Sequence, residues 1–191
     1  MLGDQAPSPG RDGDFVGPTK INGLPAHALL VHVVVVLVPV AAVMVVCSAL
    51  WPAARRRLGV GTPVVAFAAL VSVPLATHAG EWLEARVPST PLVHRHTELG
   101  DSLLPWVLVL FLLAAGLWFL QRRAAVAGGA AGGAAGAATR PGALFVVAAV
   151  LSVVAAVGSV VQVVRIGDSG AKAVWSGQVA SAPRADEPAA G

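Results

Sequence analysis

The sequence predicts an all-α, integral membrane four-helix bundle whose spans run up, down, up and down, with both termini outside. Three observations predict it. Of 191 residues, 56% are hydrophobic and only 12% charged, against about 25% charged in an average soluble domain, and the mean hydropathy is +0.76. Four stretches hold no Asp, Glu, Lys or Arg, namely residues 28–50, 58–80, 102–120 and 142–164, and each approaches or exceeds the ~20 apolar residues that a bilayer-crossing helix needs. Arginines cluster in alternate connections, Arg55–Arg57 after the first span and Arg122–Arg123 after the third, which places those connections on the cytoplasmic side. The expectation is a multi-pass protein of the cell membrane, with the lipid bilayer as its first partner.

The elements follow in order. Residues 1–20 carry Pro7, Pro9, Gly10, Gly13, Gly17 and Pro18, with too few large apolar side chains to offset the entropy of ordering, so a disordered tail is expected. That tail lacks the basic-then-apolar order of a cleavable signal peptide, and the first span is expected to act as its own membrane signal. A four-span domain then covers residues 21–177. Ile21-Asn22-Gly23-Leu24-Pro25 reads as a turn into span one, and residues 52–62, with Arg55, Arg56 and Arg57, connect it to span two. The acidic connection 79–101 is long enough to hold structure. Thr90 as an N-cap and Pro91 at the first helical position predict a helix from about Leu92 that runs on into span three. Residues 124–138 contain only Ala, Gly and Val and read as a cytoplasmic low-complexity linker. After span four, Gly167 and Gly170 predict a sharp exit from the helix, and residues 178–191 a disordered tail.

Packing signals are weaker. Gly61, Ala68, Ala69 and Ser72 in span two, and Ala155 and Ser159 in span four, offer positions for close helix approach. Pro39 and Pro74 free the carbonyls of Val35 and Leu70, an interruption that membrane helices tolerate. Trp51, Trp82, Trp106, Trp118 and Trp175 fall near span ends, as an interfacial belt requires.

Composition also limits function. The connections are too short to house a soluble catalytic domain, and Cys47 is the only cysteine, which removes internal disulfides, thiolate clusters and covalent haem attachment. The pI near 10.0 does not point to nucleic acid, because the basic residues flank spans.

What stands out is the placement of the histidines. His27 and His32 begin span one, His78 ends span two, and His94 and His96 precede span three, so an antiparallel bundle gathers all five at its outer end. His32 and His78 should lie below the interface, where polar residues usually face the bundle interior and mark function. They are the candidate ligands of haem b or a transition metal; the alternative is an interhelical hydrogen bond or a headgroup contact. His94, Glu98 and Asp101, spaced i, i+4 and i+7, share one helix face and would form a metal site if His27 or His78 joined them. A solvated amphipathic face gives the same pattern. His96 falls on the other side of that helix and cannot join the set. Arg165, Asp168 and Trp175 could form a lid over the histidine end, although membrane anchoring accounts for the segment equally well.

Several of these segments resemble a known family. Gly23-Leu24-Pro25-Ala26-His27 running into Val31-His32 and Pro39, then Thr77-His78-Ala79-Gly80, then His94 to Asp101, and finally Gly167-Asp168-Ser169-Gly170-Ala171-Lys172-Ala173-Val174-Trp175 look like the bacterial predicted membrane proteins grouped as domain of unknown function 2231. The resemblance covers roughly residues 22–177, and its first and last motifs are the most distinctive. It implies a compact four-span inner-membrane protein with its histidine motifs on one side, and no settled activity.

Three functions therefore compete. The first is a haem- or metal-binding redox module. The second is a non-catalytic membrane subunit or scaffold for a redox or membrane partner protein. The third is passage of a neutral small solute, since ion-coupled carriers bury charges in mid-membrane and these spans contain none.

Overall fold

The computed structural model describes residues 20–21, 24–130 and 143–176. Among these described residues, four helical segments are long and apolar enough to cross a membrane. Residues 1–19 of the expected N-terminal tail, 131–138 of the expected linker and the expected tail at 178–191 lie outside the described residues.

A two-residue antiparallel ladder, β1 (Lys20–Ile21) with β2 (Leu24–Pro25), precedes the first helix. Helix α1 (Ala26–Leu50) starts directly after Pro25 and runs through Pro39. The arginine-rich connection is itself a short helix, α2 (Pro52–Leu58), which the sequence reading took as a plain connection. Its proline sits in the first turn, where no N–H is missed. It ends at Gly59, whose φ of +48° is a region glycine enters without a Cβ penalty. Helix α3 (Gly61–Glu84) contains Pro74. Helix α4 (Pro91–Asp101) begins where expected, with the Thr90 hydroxyl accepting the Val93 N–H at 3.3 Å. Only Ser102 separates it from α5 (Leu103–Ala130).

Two boundaries differ from the sequence expectation. Helix α5 continues through Ala124–Ala130, so the first part of the expected linker is helical. Alanine, the best helix former, offsets Gly128 and Gly129 there. Helix α6 (Ala143–Trp175) passes straight through Gly167 and Gly170 instead of ending at them. Its last turns are held by Lys172 bonded to Asp168 at 2.7 Å and by packing against α4. Gly170 serves close approach to His96, whereas nothing lies within 4 Å of a Cβ at Gly167.

The bundle is large-outside and small-inside. Val36, Val43, Leu112, Val157 and Val164 are exposed on its outer surface, while Ala41, Ala42, Ala66, Ala69, Ser152, Ala155 and Ser159 are buried around Val38, Val45, Val107 and Leu110. Lipid tails are as apolar as leucine, so close packing and hydrogen bonds, not a hydrophobic drive, hold such helices together. Of the expected close-approach positions, Ala69, Ser72, Ala155 and Ser159 are buried and Gly61 half-buried, but Ala68 faces outward. The tightest of the described glycine contacts lies at a position without a packing signal in the sequence. The Trp106 ring of α5 lies so near Gly158 of α6 that a Cβ at that glycine would fall 2.0 Å from it.

Specific contacts fix which ends meet. His27 reaches Ala76 while Ser48 bonds Thr62 at 3.1 Å, so α1 meets α3 start to end and end to start. Phe67 packs on Phe111 and Thr77 lies beside Gly100, pairing α3 with α5 and α4 in the same sense. At the arginine end, Arg55 donates through Nε to the Ser48 carbonyl at 2.6 Å and through Nη2 to the Ala49 carbonyl at 3.0 Å. Its guanidinium also lies 4.0 Å from the centre of the Phe145 ring of α6. A cation on the last carbonyls of α1 satisfies acceptors that have no partner within the helix.

Candidate functional site at the histidine end

The start of α1, the end of α3, helix α4 and the last third of α6 meet at the other end of the bundle, and two imidazoles lie between them. His27 is placed by the first turn of α1. Its Nδ1 lies 2.9 Å from the Ala76 carbonyl of α3, which can only accept, so Nδ1 carries the proton and Nε2 is left with its lone pair. One turn beyond Ala76, Gly80 faces the same ring. A Cβ on Gly80 would sit 3.1 Å from both Cε1 and Nδ1 of His27, so a side-chain-free position lets α1 and α3 close on the imidazole.

His96 repeats this arrangement on the second pair of helices. Its Nδ1 lies 3.0 Å from the Ser169 hydroxyl of α6, and that hydroxyl is 2.8 Å from the Ile166 carbonyl. The single hydroxyl proton goes to the carbonyl, so Ser169 Oγ accepts from His96 Nδ1–H, and Nε2 is again unprotonated. Gly170 backs this ring as Gly80 backs the other, and a Cβ there would come within 2.9 Å of His96 Cε1. The two rings stand nearly perpendicular, at 84°, with centroids 6.3 Å apart. Among the described residues no hydrogen bond reaches His27 Nε2, and the His96 ring also has the Ile166 carbonyl of α6 as a hydrogen-bonding neighbour.

A polar chain adjoins the pair. Gln162, buried on α6, donates to the Ser102 hydroxyl at the α4–α5 junction, and Arg165 reaches the Gln162 amide oxygen at 3.4 Å. Ser102 in turn donates to the Leu99 carbonyl at 2.5 Å. The junction between α4 and α5 is thus tied to α6 beside the imidazoles.

The sequence-predicted ligands are distributed differently from expectation. His32 and His78 are both exposed on the outer surface, and His32 Nδ1 turns back to its own helix, 2.5 Å from the Ala28 carbonyl. Five residues turn a helix by about 140° beyond one full revolution, so once His27 faces inward His32 faces out. His78 likewise falls between Ala76 and Ala79, which are the buried positions of α3. His94, Glu98 and Asp101 are all exposed on α4, while His27 pairs with His96 instead of joining them. Among the described residues no group of three His, Cys, Asp or Glu side chains could hold a metal ion. Arg165, Asp168 and Trp175 are exposed positions on the continuous α6.

No protein family, characterised protein or solved structure matches this chain.

The site residue missed by sequence reasoning is His96, set aside because it points away from Asp101. The signal was present in the same helix. Leu92, His96 and Leu99 recur at i, i+4 and i+7, opposite the face of His94, Glu98 and Asp101. On an amphipathic helix the histidine on the apolar side is the one that enters the bundle. Gly80 and Gly170 gave a second signal, since glycine inside a helix costs about 1 kcal/mol relative to alanine and needs a reason to be there.

Proposed function

We propose that this chain is a cell-membrane protein with four spans alternating in direction and both termini outside, and that it binds a redox-active iron, held as haem b, between His27 and His96. The observation that carries this reading is the pair itself: two imidazoles from different helices, centroids 6.3 Å apart, each with Nδ1 bonded to an oxygen. A metal ~2.0–2.1 Å from each of two imidazole nitrogens sets the ring centroids about 6 Å apart when the rings oppose each other. Histidines that ligate metals characteristically donate their other N–H to a carbonyl or similar acceptor, which fixes tautomer and ring orientation; the Ala76 carbonyl and the Ser169 hydroxyl do so here. Haem, whose macrocycle brings four ligands of its own, would need only the two imidazoles from the protein. Bound there, haem iron supplies one-electron exchange between its ferric and ferrous states. The protein's part is to orient both imidazoles through their Nδ1 contacts and to keep side-chain bulk away from them at Gly80 and Gly170.

The segments at residues 23–27, 77–80, 94–101 and 167–175 contribute His27, Gly80, His96, Ser169 and Gly170, the residues that meet around the pair. The test is a visible absorption spectrum and iron determination on protein purified in mild detergent from an iron-replete host. Iron in stoichiometric amount, lost in His27→Ala and His96→Ala but kept in His32→Ala and His78→Ala, supports the reading. A colourless, iron-free protein refutes it and leaves a non-catalytic membrane subunit.

A further inference from the structure

A cleft of about 130 Å³ lies between α4 and α6, beside but distinct from the imidazole pair. Its charged walls are Arg95 of α4 and Arg165, Asp168 and Lys172 of α6, and Leu92 and Leu99 supply its apolar part. We propose that this cleft binds a phosphate group, carried by an anionic lipid headgroup or free in solution.

The charges leave a surplus for a ligand. Lys172 is already paired with Asp168 at 2.7 Å, which leaves the two guanidiniums uncompensated. Arg95 makes no hydrogen bond or ion pair among the described residues, and Arg165 has only its long contact with Gln162. Two like charges facing one cleft repel each other, and an anion between them turns that repulsion into attraction on both sides. Guanidinium forks match pairs of phosphate oxygens, and a phosphate has oxygens for both arginines at once, which the two oxygens of a carboxylate supply less completely. Ser169 also lines the cleft, but its hydroxyl is committed to His96 and to the Ile166 carbonyl, so the arginines do the binding.

Size limits the ligand as well. The cleft is below the ~300 Å³ of a typical small-molecule site yet several times the ~30 Å³ share of one water, room for a phosphate and its immediate solvent. Leu92 and Leu99 add an apolar wall on which the glycerol end of a lipid can rest. This proposal is independent of the metal reading, since it uses no atom of either imidazole.

The test uses the full-length protein in neutral detergent, with thermal unfolding and native mass spectrometry as readouts. Phosphatidylglycerol, diacylglycerol and inorganic phosphate are added separately. A bound, stabilising phosphatidylglycerol with no effect of diacylglycerol, which lacks the phosphate, identifies a lipid phosphate, and stabilisation by inorganic phosphate at comparable concentration identifies a free one. Either supports the site if Arg95→Gln and Arg165→Gln each raise the apparent Kd by roughly tenfold, the usual scale for one charge-assisted hydrogen bond. Asp168→Asn removes the one carboxylate of the cleft and should tighten binding, an outcome that a merely damaged fold does not produce. Binding unchanged in the double arginine variant, equal binding of diacylglycerol, or no effect of any phosphate overturns the proposal.

Discussion

Replacing Gly158 with alanine sets two effects of opposite sign against each other, and the structure decides between them. Helix propensity alone favours the change by ~1 kcal/mol, because alanine is the better residue in the middle of a helix such as α6. The new methyl, however, would lie 2.0, 2.3 and 2.6 Å from three carbons of the Trp106 ring, where carbon atoms normally stand about 3.5–4.0 Å apart. The ring or the helix must therefore retreat by roughly 1.5 Å to restore that spacing. Overpacking of this kind costs about 1–3 kcal/mol, and an overlap this deep belongs at the top of that range. The net expectation is a loss of ~2 kcal/mol. Unfolding in detergent by a graded denaturant measures it. The decisive comparison adds Trp106→Ala, which removes the obstacle. In that background Gly158→Ala should be neutral or stabilising, giving a coupling of more than ~2 kcal/mol for two residues in direct contact. A Gly158→Ala protein as stable as the parent, or additive effects of the two changes, refutes the close approach of α5 to α6.

Other consequences follow from the same contacts. Ser169→Ala removes the oxygen that accepts from His96 Nδ1; it should weaken iron binding by ~10–100-fold, as loss of a ligand's outer partner does, with little effect on helix content, measured by iron titration and circular dichroism. Arg55→Met deletes two charge-assisted bonds to the last carbonyls of α1 and should cost about 1.5–3 kcal/mol in the same denaturant assay, whereas Arg56→Met, at an exposed position, should cost less than ~0.5 kcal/mol. Thr90→Ala loses the cap of α4 and should lower stability by ~1 kcal/mol. For sidedness, reporter fusions at Thr90 and Ala130 should read external and cytoplasmic respectively, and the opposite pattern reverses the proposed orientation.

The physics that made the spans readable differs from the physics that placed the site. Charge-free stretches of this length have few fates other than a membrane helix, so α1, α3, α5 and α6 were visible from composition, and Thr90-Pro91 announced α4 by its local chemistry. The short helix α2 was announced just as clearly, by Pro52 at its start and Gly59 beyond its end, but the arginines between them drew attention to charge. Gly167 and Gly170 misled because glycine in a sequence signals both a helix end and a close contact, and only the presence of His96 across from Gly170 tells which. The histidines show the sharpest limit. That all of them sit at one end followed from their positions along the chain. Which ones face inward depends on helix rotation, and in a span that is apolar all round no polar stripe records that rotation. Helix α4 alone is amphipathic enough to have kept the record, in the spacing of Leu92, His96 and Leu99.

The central claim is that His27 and His96, and not His32 and His78, hold the iron. Reduced-minus-oxidised difference spectra of the parent protein beside His96→Ala and His32→Ala test it most directly. The account predicts the sharp visible bands of a haem with two histidine ligands in the parent, the same bands in His32→Ala, and their loss in His96→Ala. Bands that survive in His96→Ala, or vanish in His32→Ala, contradict it.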